Sequence, residues 1–344
     1  MTLSTPFIDA LNGKRSSHTP IWLMRQAGRY LPEYRQLRER FGMLEMVMTP
    51  ELAAEVTLQP LKRFELDAGI IVADILTPLI GMGADLAFKQ GEGPVISNPV
   101  RTHADVDALK VPKPEENVAY TLNAIKLVVK ELSGKTPLIG FSGAPFTLSC
   151  YLIEGQSPGD LSTTKRMMFS EPEVWHSLQR KLVPLVADYL VAQAEAGCSA
   201  LQIFDSWLGY LGPREYQEFV EPYLTEIVDS VRSRVNTPLV FFSTGSCGLF
   251  GLLGKLNVNA IGVDWRITLP QAAAMLPRPL PLQGNLDPQL MLGPWERIEH
   301  SAKAILKEAR SLPAHIFNLG HGVLPGVPVE NVERLIALVR TSKE

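Results

Sequence analysis

Eight short hydrophobic runs, each separated from the next by more chain than a hairpin needs, constrain this sequence more than any other feature. They are PIWLM (20–24), AGIIVADIL (68–76), PLIGFSG (137–143), ALQIFDS (200–206), PLVFFSTG (238–245), AIGVDW (260–265), LPLQGNL (280–286) and HIFNLGH (315–321). Near-continuous apolar runs of this length suit parallel strands that are covered on both faces. Amphipathic stretches fill the intervals at 50–66, 114–132, 171–196, 213–235, 294–311 and 328–340. Several open on proline, as in TPELAAEV, EPEVWHSL and GPREYQEF. Proline suits a first helical turn, where its missing N–H would have had no partner. Eight β/α alternations with no Pro/Ser/Gly-rich linker predict an α/β protein: a single (β/α)8 TIM barrel domain over residues 1–344. The segment LAFKQGEGPVISNP (86–99) predicts a hairpin insertion after the second strand, with Gly91 and Gly93 at its turn. A doubly wound open sheet would want G-x-G-x-x-G after the first strand, and RQAGRY does not supply it.

In such a barrel, polar residues at the C-terminal ends of the strands converge on one mouth. The candidates are Arg25 and Arg29, Asp74, Ser142, Asp205 and Ser206, Asp264, Asn285 and Asp287, and His321. MRQAGRYLPEYR (24–35) sets two arginines around the small Ala27-Gly28 pair, where backbone can approach an anion closely. Taken alone, the same stretch also reads as a surface turn with two solvated charges. Asp74 is embedded in an apolar run, which is costly unless it has a partner or a purpose; capping the loop before Pro78 would be the plainer role. Asp264 and Asp287 read as loop and cap residues. His321 stands between two glycines, whereas His315, at the start of its strand, reads as a surface residue. Tyr151 falls on an expected helix after GAPFTLSC, where it would serve either the site or simple packing.

Several function classes are disfavoured. The formal net charge of −3 lacks the basic bias of a general nucleic-acid surface, so any anion binding must be local. Met1–Ala10 has no apolar signal core, and AGIIVADILTPLIGMGADLAF is interrupted by Asp74, Pro78 and Asp85, which argues against a membrane span. Cys150, Cys198 and Cys247 are odd in number and far apart, with neither a disulfide framework nor a C-x-x-C zinc pattern. A cytoplasmic protein without nucleic-acid or membrane partners is therefore expected. Phosphate-loop, G-x-S-x-G and H-E-x-x-H motifs are missing. What remains is an arginine-bearing mouth with a buried carboxylate, suited to an acidic organic ligand and to catalysis by electrostatics and proton transfer.

PIWLMRQAGRYLPEYR (20–35) resembles the first signature of the uroporphyrinogen decarboxylase family, and GFSGAPFTLSCYLIEG (140–155) resembles its second. ADIL, FDSW, GVDWR, LQGNLDP and NLGHG follow in the family's order, so the resemblance runs from Phe7 to the C-terminus. It implies a cytoplasmic homodimer that needs no cofactor or metal. Such an enzyme removes CO2 from the four acetate side chains of uroporphyrinogen III, giving coproporphyrinogen III for haem and related tetrapyrroles. Carried over by motif, substrate contacts would be Arg25, Gln26, Ala27, Gly28, Arg29, Asp74, Tyr151, Ser206 and His321, with Arg25, Arg29 and Asp74 catalytic. FFSTGSCG (241–248) departs from the family pattern and receives no role. Asp74 would act as an anion, its pKa held down by the arginines, beneath a ring that is protonated before CO2 leaves. An arginine, Tyr151, His321 or a water could supply that proton.

Two other readings are carried alongside. The same barrel superfamily contains zinc-dependent corrinoid methyltransferases, which use a His-x-Cys pair and a second, distant Cys. Here Gly322 and Val323 follow His321, and no cysteine stands two residues after a histidine. A non-catalytic tetrapyrrole carrier would keep the pocket but could dispense with Asp74 or an arginine, and all are present.

Overall fold

A computed structural model describes residues 4–89 and 93–342. Seven parallel strands form one sheet: β1 (Gly69–Ile70), β4 (Leu138–Gly143), β5 (Ala200–Asp205), β6 (Leu239–Ser243), β7 (Ala260–Gly262), β8 (Leu282–Leu286) and β9 (His315–Leu319), hydrogen-bonded in that order. Two further strands, β2 (Leu86–Lys89) and β3 (Gly93–Ile96), pair antiparallel outside it, with Leu86 opposite Ile96 and Lys89 opposite Gly93. Gly93 takes a positive φ of 83°. The expected turn residue Gly91 lies outside the described residues.

Helices cover the sheet where the amphipathic stretches predicted them. They include Pro50–Arg63, Ala119–Leu132, Pro172–Glu195, Glu221–Arg234, Trp295–Ala309 and Val329–Thr341. Proline occupies the first turn of three of these, at Pro50, Pro172 and Pro222. The strands' outward side chains and these helices form two large apolar clusters. A third cluster contains Trp22, Met24, Ile139, Val240, Phe242 and Ile316. The helix Pro6–Leu11 adds Phe7, Ile8, Ala10 and Leu11 to it, beside Ala200 and Ala260 at the start of their strands. A buried polar chain crosses the same region: Trp22 Nε1 donates to Gln283 Oε1 (2.9 Å), and Gln283 Nε2 donates to Gln202 Oε1 (3.0 Å).

Two expected strands differ from expectation, and for the same physical reason. The run 20–24 makes a single parallel bridge, Ile21 to Phe317, rather than a strand. The Phe317 N–H donates to Pro20 O (2.8 Å) on one side, and the Asp67 N–H donates to Ile21 O (2.9 Å) on the other. Beyond Trp22 the ladder stops because side chains take over its donors. Leu23 N–H goes to Gln26 Oε1 (3.1 Å) and Met24 N–H to Asn318 Oδ1 (3.0 Å). Similarly, AGIIVADIL yields only Gly69–Ile70 as strand. Ile71 N–H still reaches Ile139 O (3.0 Å), but Val72 N–H turns to Thr57 Oγ1 (2.9 Å) on the neighbouring helix. Residues 72–76 therefore run as a loop, which leaves Asp74 on irregular backbone.

His315 also corrects an expectation. It is buried, at 3 % exposure, with its ring nitrogen against the Gly284 carbonyl of β8.

Candidate active site

Arg25 adopts φ +60°, in the left-handed region that costs an L-residue roughly 1–2 kcal/mol. Its neighbours fix the turn. Buried Gln26 accepts Leu23 N–H through Oε1 and donates Nε2 to Ala68 O (3.3 Å). Tyr30 Oη donates to Gln26 O (2.8 Å), and Val323 N–H donates to Met24 O (2.8 Å). At Gly28 a Cβ would lie 2.9 Å from the Arg25 carbonyl oxygen, so the turn admits only glycine there. At Gly322 a Cβ would collide with Cγ and Cδ of Arg25, so this glycine gives the arginine stem its place. Ala27 is half-buried, and Arg29 is exposed at the rim.

Arg25 keeps much of its surface open to solvent. Burial lowers its pKa; Tyr151 and Asp74 pull it upward, and Arg29 pushes it further down. The charges of Arg29, Tyr151 and Asp74 therefore all bear on Arg25.

Asp74 Oδ1 accepts the Leu76 N–H (2.8 Å), and its carbonyl accepts the N–H (3.3 Å) and hydroxyl (3.0 Å) of Thr77 at the start of helix Thr77–Met82. It caps the loop before Pro78, the plainer of its two expected roles, and the charge of Arg25 bears on it. Burial pushes its carboxyl up to about 6, against the weaker pull of the Leu76 N–H and Arg25. Arg25 pulls this pKa down as expected, but desolvation outweighs it and the net shift is upward.

Tyr151 lies on helix Pro145–Glu154 and meets the Trp207 ring edge-on, with centroids 6.2 Å apart. Burial raises its pKa, and the Asp74 charge raises it further. His321 accepts the Gly322 N–H at Nδ1 (2.7 Å), which leaves Nε2 to carry its proton. Burial, with Arg25 and Arg266 adding positive charge nearby, lowers its pKa to about 4. It is a neutral hydrogen-bond donor near pH 7.

Ser206 is half-buried, next to Trp207, and its carbonyl accepts the Thr244 hydroxyl (2.8 Å). Among the described residues no hydrogen bond ties its hydroxyl to the arginines or Asp74, so it reaches the group only through its neighbour. Ser142 is buried and donates to Gly143 O (3.1 Å). Asp205 is fully buried and accepts the Thr147 hydroxyl (2.6 Å).

Asp264, Asn285 and Asp287 are structural. Asp264 accepts Gly245 N–H (2.6 Å), Arg266 N–H (3.0 Å) and Arg266 Nη1 (2.6 Å). Asn285 donates to the carbonyls of Asp264 (3.0 Å) and Ile267 (2.6 Å). Asp287 caps Pro288–Leu292 through Gln289 N–H (2.9 Å).

Two residues near the site had no signal in the sequence. Tyr120, at the start of helix Ala119–Leu132, senses the charge of Asp74. Arg266 lies over the Trp265 ring, 4.2 Å from its centroid, and contributes to the field at His321. Both arrive by tertiary folding from segments that read as ordinary helix and loop.

Among the described residues no group of three or more His, Cys, Asp or Glu side chains is placed to hold a metal ion. Burial raises the thiol pKa of Cys150 and Cys198. No helix of the described residues is long and apolar enough to cross a membrane.

The family model described as "Uroporphyrinogen decarboxylase (URO-D)" matches residues 2–342. A uroporphyrinogen decarboxylase of Roseiflexus sp. (strain RS-1) is 50% identical over 337 residues, covering 97% of this chain and 97% of that protein. One from Chloroflexus aggregans is 51% identical over 338 residues, covering 97% and 95%. Among solved structures, a methyltransferase from Methanosarcina mazei superposes with a TM-score of 0.82 at 19% identity, covering 98% of each chain. At that identity the likeness speaks for the fold alone.

Proposed function

Since the chain belongs to the uroporphyrinogen decarboxylase family, a family of carboxy-lyases, we propose that Arg25, Arg29 and Asp74 are its catalytic residues. Gln26, Ala27, Gly28, Tyr151, Ser206 and His321 complete the substrate site. The observation that supports this reading is the Arg25 stem lying against Gly322, next to His321, with the charges of Arg29, Tyr151 and Asp74 bearing on it.

The substrate carries eight carboxylates, four acetates and four propionates. Arg25 and Arg29 bind carboxylates through charge-assisted hydrogen bonds, and the planar two-donor fork of each sets the direction. Neutral His321 offers its Nε2–H to another. Asp74 accepts hydrogen bonds from the pyrrole N–H groups. Those donors replace the water it lost on burial, so its pKa falls when substrate binds.

Decarboxylation then proceeds in balanced steps. A proton adds to the ring carbon next to the pyrrole nitrogen, which makes the ring cationic. The electrons of the C–CO2 bond flow into that cation, CO2 departs, and an exocyclic methylene forms. A second proton converts the methylene to the methyl group as the ring proton is lost. Asp74 stabilises the cation, and because its charge is already in place the stabilisation needs no reorganisation. Of the four proton sources considered, His321 is disfavoured because it is neutral, and Tyr151 because burial weakens it as an acid. An arginine or a water remains.

The same reading takes residues 1–344 as one (β/α)8 domain. The run 20–24 serves as its eighth stave, and the ribbon of β2 and β3 is an insertion. It works as a cytoplasmic homodimer without cofactor, metal, nucleic acid or membrane. Anaerobic incubation with uroporphyrinogen, followed by chromatography of the oxidised products, tests it. Successive loss of four carboxyls is expected; tight binding without CO2 release would indicate a carrier instead.

A further inference from the structure

The loop that follows β7 carries a further arginine, Arg266, on backbone that is fixed at both ends. Asn285 Nδ2 donates to Asp264 O (3.0 Å) and Ile267 O (2.6 Å). The Asp264 carboxylate accepts Gly245 N–H (2.6 Å) and Arg266 N–H (3.0 Å). At Gly320 a Cβ would lie 2.6 Å from Trp265 N and 2.9 Å from Trp265 Cε3, so glycine is what lets this loop pack against the end of β9. Gly322 admits the Arg25 stem in the same way. The residues on either side of His321 in the chain thus receive Trp265 and Arg25.

The Arg266 guanidinium rests over the Trp265 ring, 4.2 Å from its centroid. After burial and Arg25, its charge is the next influence that lowers the pKa of His321. Nη1 pairs with Asp264 (2.6 Å), while the side chain remains 48% exposed. Among the described residues Nε and Nη2 donate to no protein group. Neutralising Asp264 is the plainer role for this arginine, but it occupies one nitrogen. Stacking and the ion pair fix the plane of the guanidinium in advance and leave the other edge of its fork open.

The bonds between strands say where that fork stands. From β1 they run through β4, β5 and β6 to β7. In the other direction Asp67 N–H reaches Ile21 O, Ile21 bridges Phe317 on β9, and β9 leads through β8 to β7. By either route β7 is the strand most removed from β1, so Arg266 stands across the sheet from the loop that carries Asp74. The reading above, on which this inference rests, puts the pyrrole N–H groups on Asp74, and the substrate's carboxylates then extend all round the macrocycle. Arg25 and Arg29 follow the run next to β1 and leave the arms on the far side without a cation. The acetates are lost in turn, whereas the propionates persist through every round. A cation that grips the tetrapyrrole in all rounds must hold a propionate. We propose that Arg266 binds a propionate carboxylate of the tetrapyrrole through Nε and Nη2, anchoring the arm that lies across from Asp74.

Anaerobic steady-state kinetics test it. In Arg266→Gln the KM for uroporphyrinogen should rise by about tenfold, the scale of one charge-assisted hydrogen bond, with kcat within about twofold of the parent. The KM for the intermediate that has one acetate left, and the inhibition constant of the product, should rise by the same factor, because both keep every propionate. A rise confined to uroporphyrinogen would mean that Arg266 holds an acetate, and overturns the proposal. An arginine that only neutralises Asp264 would give a lower Tm with a parental KM. Should Arg266→Gln fail to fold, Arg266→Lys keeps a charge beside Asp264 and loses the fork; its KM should still rise by at least about threefold, and a parental KM overturns the proposal. Lys307→Gln removes a positive charge near the start of β9, and an equal rise in KM there would reduce the effect to a general field and overturn the assignment. If the unmutated protein binds uroporphyrinogen without releasing CO2, the proposed function fails; the tetrapyrrole's dissociation constant, raised or unraised in Arg266→Gln, then decides on Arg266 by itself.

Discussion

Replacing Asp74 with asparagine separates the cost of its charge to the fold from the value of that charge to the reaction. Asparagine keeps the size and still offers an oxygen to the Leu76 N–H, but it removes the ionisation. The folded pKa of about 6 lies above the ordinary aspartate value, so folding favours the protonated form. The stability associated with this group is fully present below the unfolded pKa, near 4, and is lost as pH rises through about 6. At pH 8 the ionised carboxylate costs up to about 3 kcal/mol, an upper figure because the residue keeps some solvent contact. For a chain of this length that corresponds to about 4 °C in Tm. Asp74→Asn should therefore melt a few degrees higher than the parent at pH 8 and alike at pH 4. Its kcat should fall by about a hundredfold or more, as for loss of one preorganised charged group. Scanning calorimetry at the two pH values and anaerobic turnover provide the two readouts. An unchanged or lower Tm at pH 8, together with near-parental kcat, would refute both halves of the reasoning.

Three further outcomes are expected. Arg29→Lys keeps the charge and loses the fork, so kcat/KM should drop by at least about tenfold with no change in Tm. Gly322→Ala places a methyl against the Cγ and Cδ of Arg25; turnover should fall while circular dichroism stays native, and unchanged turnover would mean that the arginine stem has room to shift. Because His321 titrates near 4, the kcat/KM profile from pH 5.5 to 8 should keep its shape in His321→Gln; an inflection near 6.5 that vanishes in the variant would mean that His321 acts as a charged acid.

Much of the sheet was legible because its strands are buried on both faces. ALQIFDS and HIFNLGH fold as strands within two residues of their expected ends. The expectation failed where a side chain intercepts the ladder, as Thr57 does at Val72 and Asn318 at Met24. Both interceptors lie far from their targets in the chain, so no local pattern could announce them. His315 was misjudged for a related reason: its ring is buried against the Gly284 carbonyl of β8, a partner distant in the chain. At the site, the arginines, Asp74 and Tyr151 were singled out from residue type and motif, and their charges bear on one another in the fold. The sign of the pKa shift at Asp74 was not legible, because desolvation depends on all the atoms around it and not on its sequence neighbours. Asp264 and Asp287 behaved as ordinary loop and cap residues do.

A sheet resists parting at every joint in proportion to its backbone ladder, and the joint between the run 20–24 and β9 is unlike the rest. At the run 20–24 the ladder gives way after Trp22 to Gln26 and Asn318 side chains. The next residue along is Arg25. This sparsely laddered seam and the proposed substrate grip are consecutive pieces of one segment, so a tetrapyrrole pulling on the arginines would also fasten the seam. Amide hydrogens of Leu23 and Met24 should then be the ones whose exchange with solvent slows most when the substrate arrives, making the seam itself the reporter of occupancy.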